Sequence, residues 1–241
     1  MLRPLALLLA LAAQAAGFAL PRQSSQLVLG LATDWNASRA TLQRYQRSHA
    51  TAWQPVGTPV PARLGRDGLV WGLGLHPLPA AARVKQEGDW RSPAGAFRIG
   101  GVWGYDAAIR RHPRLFYHRI TPRDLWIEDP ASPSYNRHVV LDHDPSTPWE
   151  RKQQMRQHDH AHSLKLFIAH NAPPNVAPGR GSSIFFHIWR AAGAKPTAGC
   201  TTLPEPALRD LIAWLDPSRQ PLYVLLPTPE YHRLRQEWSL P

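Results

Sequence analysis

The chain has very little sulfur. Of its 241 residues, one is cysteine and two are methionine. A single cysteine cannot form a disulfide within the chain, so disulfides do not hold this fold together. In an oxidising compartment, an unpaired thiol is a liability unless it is buried or used chemically. Cys200 is therefore either a small buried apolar residue or a nucleophile, and its surroundings must decide between the two.

Clusters of positive charge are also missing, although the formal net charge is +11. The 28 Lys and Arg residues are scattered, and no run of five or more occurs. The sequence contains no helix-turn-helix or zinc-finger motif. We therefore predict no nucleic-acid partner. A basic surface of this kind suits an acidic polymer.

Beyond the N-terminus, the sequence has no long apolar run. Residues 4–16 are almost wholly apolar and follow a short positive start that ends at Arg3. This stretch is short for a bilayer span, which needs about 20 residues. The pattern predicts a signal peptide over residues 1–19, with a membrane anchor as the alternative. We expect an exported domain over residues 20–241, periplasmic or secreted, with no membrane span once the signal is removed.

Long helices are disfavoured by the 25 prolines and 16 glycines. Short strands joined by turns are predicted instead, with helices only at the edge of a mainly β (α+β) fold. Strands are expected within residues 26–31, 51–75, 88–101, 125–127, 138–141, 164–169, 183–188 and 222–226. Helices are expected over residues 38–47, from Thr147, after residues 202–205 and from Thr228.

Chemistry-bearing residues concentrate near Cys200. His187 closes an apolar strand, and Cys200 follows a turn of small residues before a predicted helix. A thiol at a helix N-terminus has a lowered pKa, and a nearby imidazole can accept its proton. Backbone N–H groups around Gly199 would stabilise an oxyanion. The segment predicts acyl transfer with Cys200 as nucleophile and His187 as base.

This segment resembles the catalytic motif of the YkuD-like L,D-transpeptidases. In that motif a strand His precedes a loop and then Ser/Thr-His-Gly-Cys-Val/Ile-Arg, which His187, Thr197, Gly199 and Cys200 match. The resemblance continues through residues 92–97, 129–137 and 166–171, and it spans roughly residues 26–226. Ala198 and Thr202 depart from it, because the family usually has His and Arg at these positions.

The resemblance implies a β-sandwich-like domain that acts on peptidoglycan stem peptides without a metal or organic cofactor. Cys200 would attack the peptide bond before the terminal D-amino acid and form a thioester. An amine acceptor then yields a crosslink. Two alternatives stay open: an L,D-carboxypeptidase or amidase on the same site, and a non-catalytic wall-binding module.

Several further residues are candidates for roles around this pair. Thr197, Ala198, Gly199 and Ser183 are expected to shape the site. A substrate groove is predicted at His170, Asn171, Trp189 and Arg190. His158, His160 and His162 alternate as metal ligands do, but no HExxH or comparable frame accompanies them. Solvated loop histidines are the preferred interpretation of these three residues.

Overall fold

The computed structural model describes residues 17–48 and 51–241. Most of the predicted signal peptide, residues 1–16, lies outside the described residues. The strands are β1 (Gln26–Ala32), β2 (Arg39–Gln46), β3 (Gln54–Arg63), β4 (Leu69–Trp71), β5 (Ser92–Gly104), β6 (Tyr117–Arg119), β7 (Asp124–Trp126), β8 (His138–Val140), β9 (Leu164–Ile168), β10 (Phe185–Ile188), β11 (Thr201–Leu203) and β12 (Leu222–Pro227). The helices are α1 (Pro148–Gln153), α2 (Glu205–Trp214) and α3 (Thr228–Leu234), with two 3-10 turns at Ala191–Gly193 and Pro217–Arg219.

One sheet dominates the fold, and it closes on itself. Its strand order is β12-β1-β2-β3-β11-β10-β9-β5, and β5 pairs back onto β12. β4 and β6 extend β5, while β7 and β8 form a separate hairpin. The mainly β prediction is confirmed. The sandwich expected from the resemblance is not what the structure shows, because the strands form one barrel-like sheet.

Alternation along the strands sorts side chains into two clusters. On β10, Phe186 belongs to the main core, while its neighbour Phe185 belongs to a smaller second cluster. Successive residues of a strand point to opposite faces of the sheet, which is why the two phenylalanines part. The second cluster, rich in aromatic residues, has Cys200 packed against it. The candidate site therefore lies on the outer face of the barrel wall.

The helix predicted over residues 38–47 is wrong, because the structure places β2 there. Ala40 and Leu42 are buried and their neighbours Arg39 and Thr41 are exposed, which is a period-two pattern. β2 also pairs with β1 on one side and β3 on the other. Closure of the barrel therefore overrides the helical propensity of Ala, Leu, Gln and Arg in this segment.

The three remaining helix predictions are confirmed. At α1, the backbone N–H of Glu150 donates to Thr147 Oγ1 at 3.1 Å, and the Glu150 carboxylate accepts from the N–H of Thr147 at 2.8 Å. This is the predicted capping box. α2 begins at Glu205, however, and the strand β11 separates it from Cys200.

Candidate active site

Three adjacent strands present the candidate residues on one face. β10 pairs with β9 so that His187 lies opposite Lys165, and with β11 so that His187 lies opposite Thr202. Directly opposed residues project to the same face of a sheet. Cys200, just before β11, therefore shares a face with Phe185 and His187. The structure brings Cys200 and His187 together as lining residues of one cleft of about 920 Å³.

Hydrogen bonds hold the turn before Cys200. Thr197 Oγ1 donates to the Cys200 carbonyl at 2.6 Å and accepts from the Gly199 N–H at 3.0 Å. The buried Ser92 hydroxyl donates to the Gly199 carbonyl at 2.8 Å and accepts from the Gly65 N–H at 2.9 Å. Thr197 thus holds this turn from within the segment, and Ser92 holds it from β5.

Glycine is favoured at position 199 by its backbone angle and by the close approach of Arg91, the residue before β5. The φ of Gly199 is +155°, and a Cβ at this position would lie 3.0 Å from the backbone oxygen of Arg91. The same geometry corrects one prediction. Because the N–H of Gly199 already donates to Thr197, it is not a free oxyanion donor in this structure.

His187 is held in one orientation by backbone carbonyls. The side chain is buried, and Nδ1 lies 2.9 Å from the Ile188 carbonyl oxygen and 3.2 Å from that of Ala161. These acceptors require the proton on Nδ1, which leaves Nε2 unprotonated and able to accept a proton. The His162 ring stacks on His187 with centroids 4.6 Å apart. Burial, followed by the nearby His162, lowers the pKa of His187 to about 3.

The thiol is not activated in the way that the sequence suggested. Cys200 Sγ accepts from the Phe185 N–H at 3.4 Å and donates to the Ser183 carbonyl at 3.4 Å. Because β11 lies between Cys200 and α2, the thiol is not at the N-terminus of that helix, and the helix dipole does not lower the pKa of the thiol. Burial raises the pKa of the Cys200 thiol, and the Phe185 N–H lowers it by a smaller amount. Cys200 and His187 therefore rest as a neutral thiol and a neutral imidazole.

A buried lysine that the sequence analysis overlooked also faces the thiol. The Lys165 side chain is 4% exposed, and its Nζ donates to the Met155 carbonyl at 2.8 Å. Burial lowers the pKa of Lys165 to about 8, and a charge on Cys200 opposes that effect. A lysine inside the apolar strand Leu-Lys-Leu-Phe-Ile was the signal that could have identified it, because lysine is almost never fully buried without a polar partner.

The structure places the predicted site-shaping residues Ser183 and Ala198 in the cleft and separates the predicted groove residues Arg190 and Trp189. Ser183, Ala198 and Arg190 line the cleft. Trp189 is not among the residues that line it and packs instead under Gly193. Two aromatic side chains that were not predicted as groove residues, Trp90 and Trp149, lie at the rim and are 43% and 41% exposed.

His170 and Asn171 are structural rather than groove residues. His170 is fully buried, accepts from the Leu73 N–H through Nδ1 at 3.0 Å and donates to the Arg180 carbonyl through Nε2 at 2.9 Å. The Asn171 amide donates to the carbonyls of Ala177 and Gly181. Both side chains are thus consumed in holding the loop that precedes β10.

The three alternating histidines do not converge. His160 Nε2 lies 2.8 Å from a Glu205 carboxylate oxygen, and His162 Nδ1 lies 2.7 Å from Asp159. His162 instead stacks on His187, a role that the sequence pattern did not reveal. Among the described residues, the group of His, Cys and acidic side chains close enough to share a metal ion is His118, Asp124 and His138. These three lie outside the cleft.

Thr202 occupies the position where the resembling family has Arg, and an arginine is nevertheless next to it. Arg63 of β3 lies directly opposite Thr202. Its guanidinium donates to the carbonyls of Gly193 and Ala194, the latter at 2.7 Å. Arg63 is therefore committed to the loop between His187 and Cys200.

A comparison with models of known protein families identifies the family of the domain. The family model of the L,D-transpeptidase catalytic domain, YkuD, matches residues 34–224. The chain belongs to this family of catalytic domains, which makes it an L,D-transpeptidase-type protein. No curated protein matched the chain.

Proposed function

We propose that the protein is a peptidoglycan L,D-transpeptidase with Cys200 as nucleophile and His187 as general base. The observation that supports this most is their placement on one sheet face within one cleft, in a chain of this family. The imidazole tautomer supports it too, because Nδ1 is bound to carbonyls and Nε2 is left to accept a proton.

In the first step, Sγ attacks the carbonyl carbon before the terminal D-amino acid while its proton passes to His187 Nε2. The C–S bond forms, and the carbonyl oxygen gains the negative charge. Since the Gly199 N–H is engaged by Thr197, we assign the oxyanion donor to the backbone N–H of Cys200. The intermediate collapses as the C–N bond breaks, and His187 returns the proton to the leaving amine.

In the second step, an acceptor amine attacks the thioester. His187 Nε2 takes one proton from that amine, the C–S bond breaks, and the proton reprotonates Cys200. The new amide is the crosslink. The cleft carries both signs of charge, with Glu87, Glu128 and Asp129 beside its lysines and Arg190. We assign the carboxylate at the end of a stem peptide to Lys152 or Arg190, because Lys85 is paired with Asp89 and Lys165 donates to Met155. Export by residues 1–19 would bring the domain to this substrate. Among the described residues, no helix is long and apolar enough to cross a membrane.

The test is incubation of the signal-free protein with purified disaccharide-tetrapeptides, followed by mass spectrometry of the products. Cys200→Ala should abolish crosslinked product, and His187→Ala should lower the rate by roughly 10²–10⁴-fold. His232→Ala, at an exposed position on α3, is the matched control and should keep full activity.

Three outcomes would contradict this proposal. Turnover in Cys200→Ala would exclude the thiol mechanism. Release of D-alanine without any crosslink would favour the L,D-carboxypeptidase or amidase alternative. No reaction, together with a Cys200 that iodoacetamide cannot alkylate in the folded protein, would favour the non-catalytic wall-binding module.

A further inference from the structure

Two histidines and one aspartate meet beside Trp103 and Trp126 of the second cluster. His118 comes from β6, Asp124 from β7 and His138 from β8. Their ligand atoms all lie within 4.8 Å of one another. None of the three residues lines the cleft, so the cluster is separate from the Cys200 site.

Hydrogen bonds do not satisfy all the polar atoms of this cluster. Nε2 of His118 and Nε2 of His138 each lie 2.6 Å from the same carboxylate oxygen, Oδ1 of Asp124. His138 makes a hydrogen bond to it, but His118 Nε2 is buried and has no partner with hydrogen-bond geometry among the residues that the structure describes. The other oxygen, Oδ2, already accepts from the N–H and the hydroxyl of Thr121.

Regular backbone structure fixes all three ligands. His118 lies opposite Trp103 in the β5–β6 pair, and Asp124 and His138 lie opposite Val140 and Trp126 in the β7–β8 hairpin. Asp124 is fully buried, while the side chains of His118 and His138 are 31% and 18% exposed. An ion bound here could therefore exchange with solvent and take a water molecule as a further ligand.

We propose that His118, Asp124 and His138 form a binding site for one divalent transition-metal ion of the Zn²⁺ class. Two imidazole nitrogens and one carboxylate oxygen are a donor set that such ions favour over Mg²⁺ or Ca²⁺. An ion would satisfy His118 Nε2, which the hydrogen bonds leave without a partner. Tetrahedral Zn²⁺ with bonds near 2.0–2.1 Å keeps its ligand atoms roughly 3.3 Å apart. The two N–O separations must therefore widen by about 0.7 Å when the ion enters.

The expected role of the ion is structural. It would join the separate β7–β8 hairpin to β6 and thereby to the main sheet. The segment after β7 lines the cleft through Glu128, Asp129 and Pro130. Trp103 and Trp126 lie between the cluster and Phe185, whose N–H contacts Cys200. The ion would therefore stabilise the aromatic residues and the segment after β7 that support the cleft, without taking part in acyl transfer.

The experiment is a Zn²⁺ titration of the metal-stripped, tag-free protein by calorimetry, with thermal unfolding followed in parallel. We expect one equivalent to bind in the micromolar range or tighter, with a rise in Tm. His118→Gln and His138→Gln should each weaken binding by at least about 100-fold, since losing even an outer-shell partner of a metal site typically weakens it 10–100-fold. His232→Gln, at an exposed position on α3 away from the cluster, is the control and should bind as the wild type does.

A second measurement uses only the wild-type protein, so the result does not depend on whether the variants fold. Diethyl pyrocarbonate modifies accessible imidazoles, and peptide mass mapping locates them. Zn²⁺ should protect His118 and His138 but not His232. Absence of binding up to about 100 µM Zn²⁺, equal affinity in both histidine variants, or protection confined to His158, His160 and His162 would each overturn the proposal.

Discussion

Replacing Lys165 with Met should make the Cys200 thiol less reactive. The substitution keeps most of the aliphatic bulk but removes a buried cation on the same sheet face as Cys200 and His187. A thiolate at Cys200 raises the pKa of Lys165, and by reciprocity the lysine charge lowers the pKa of the thiol. Without that charge, the thiolate forms less readily at any given pH.

The size of the effect follows from the sheet geometry. Lys165 and Cys200 are two strand spacings of about 4.8 Å apart and are also offset by two residues along the strands, which puts their Cα atoms about 12 Å apart. The lysine side chain spans part of this distance, since its Nζ lies 5.9 Å from the centroid of the Phe185 ring. Roughly 7 Å then remains between the charges. At an effective dielectric constant of 20, that separation corresponds to about 2 kcal/mol, or roughly a 30-fold change in thiolate population. Screening is weak because Lys165 is only 4% exposed.

The assay is alkylation of the folded protein by iodoacetamide at several pH values. Since the chain contains one cysteine, the rate reports on Cys200 alone. Lys165→Met should react roughly 30-fold more slowly near neutral pH, while Lys165→Arg should retain most of the rate. Lys152→Met is the matched control, because Lys152 also lines the cleft but is exposed, and its rate should change less than about twofold. An unchanged rate in Lys165→Met would refute the argument that this lysine stabilises the thiolate.

Three further predictions concern stability and reactivity. Burial lowers the pKa of His76 and His162 to about 4 and of His170 and His187 to about 3. Because their folded-state pKa values lie below the unfolded value of about 6.5, their contribution to stability is complete above that pH and is lost as the pH falls. Acid unfolding with uptake of several protons should therefore occur as the pH falls from 6.5 towards 4, and circular dichroism that stays native at pH 3 would contradict this. Ser92→Ala leaves the Gly65 N–H and the Gly199 carbonyl without their partner, and should lower the free energy of unfolding by about 2–4 kcal/mol in urea titrations, whereas Ser134→Ala should change it by less than about 0.5 kcal/mol. A carbapenem should acylate the protein once, as seen by intact mass, with no adduct in Cys200→Ala; a Cys200 that iodoacetamide alkylates but no carbapenem does would indicate a different acyl substrate.

The strands and capped helices were predictable because their signals are local. The sequence alone predicted the capping box at Thr147 and Glu150 and the apolar runs of β9, β10 and β12. Residues 39–46 were not, since their strand state depends on pairing with β1 and β3, which lie elsewhere in the chain. Closure of the sheet is equally non-local, because it rests on the pairing of β12 with β5.

The candidate site also has a part that local sequence predicts and a part that depends on distant strands. Cys200, His187 and Thr197 were predicted from a short segment with a family resemblance, and all three lie at or beside the cleft. Ser92 and Lys165 come from β5 and β9, so their proximity to Cys200 appears only when the barrel is assembled. His170 and Asn171 show the opposite error. Polar residues that end an apolar strand resemble cleft residues in the sequence. Here both side chains are engaged by hydrogen bonds to backbone groups, of Leu73 and of the loop before β10.

The neutral resting pair bears on how a single thiol persists outside the cytoplasm, where we propose that this domain acts. Oxidation and disulfide exchange proceed through the thiolate, so a thiol whose pKa is raised by burial is protected while the cleft is empty. Reactivity is still available, because His187 is already neutral and oriented by two carbonyls, with Nε2 ready to take the proton. The proton therefore needs to move only when a carbonyl carbon is in place to receive the sulfur. On this view, the partial burial of Cys200 at the wall of the cleft serves both interpretations of its single occurrence. It packs against the second cluster at rest and becomes a nucleophile during the reaction.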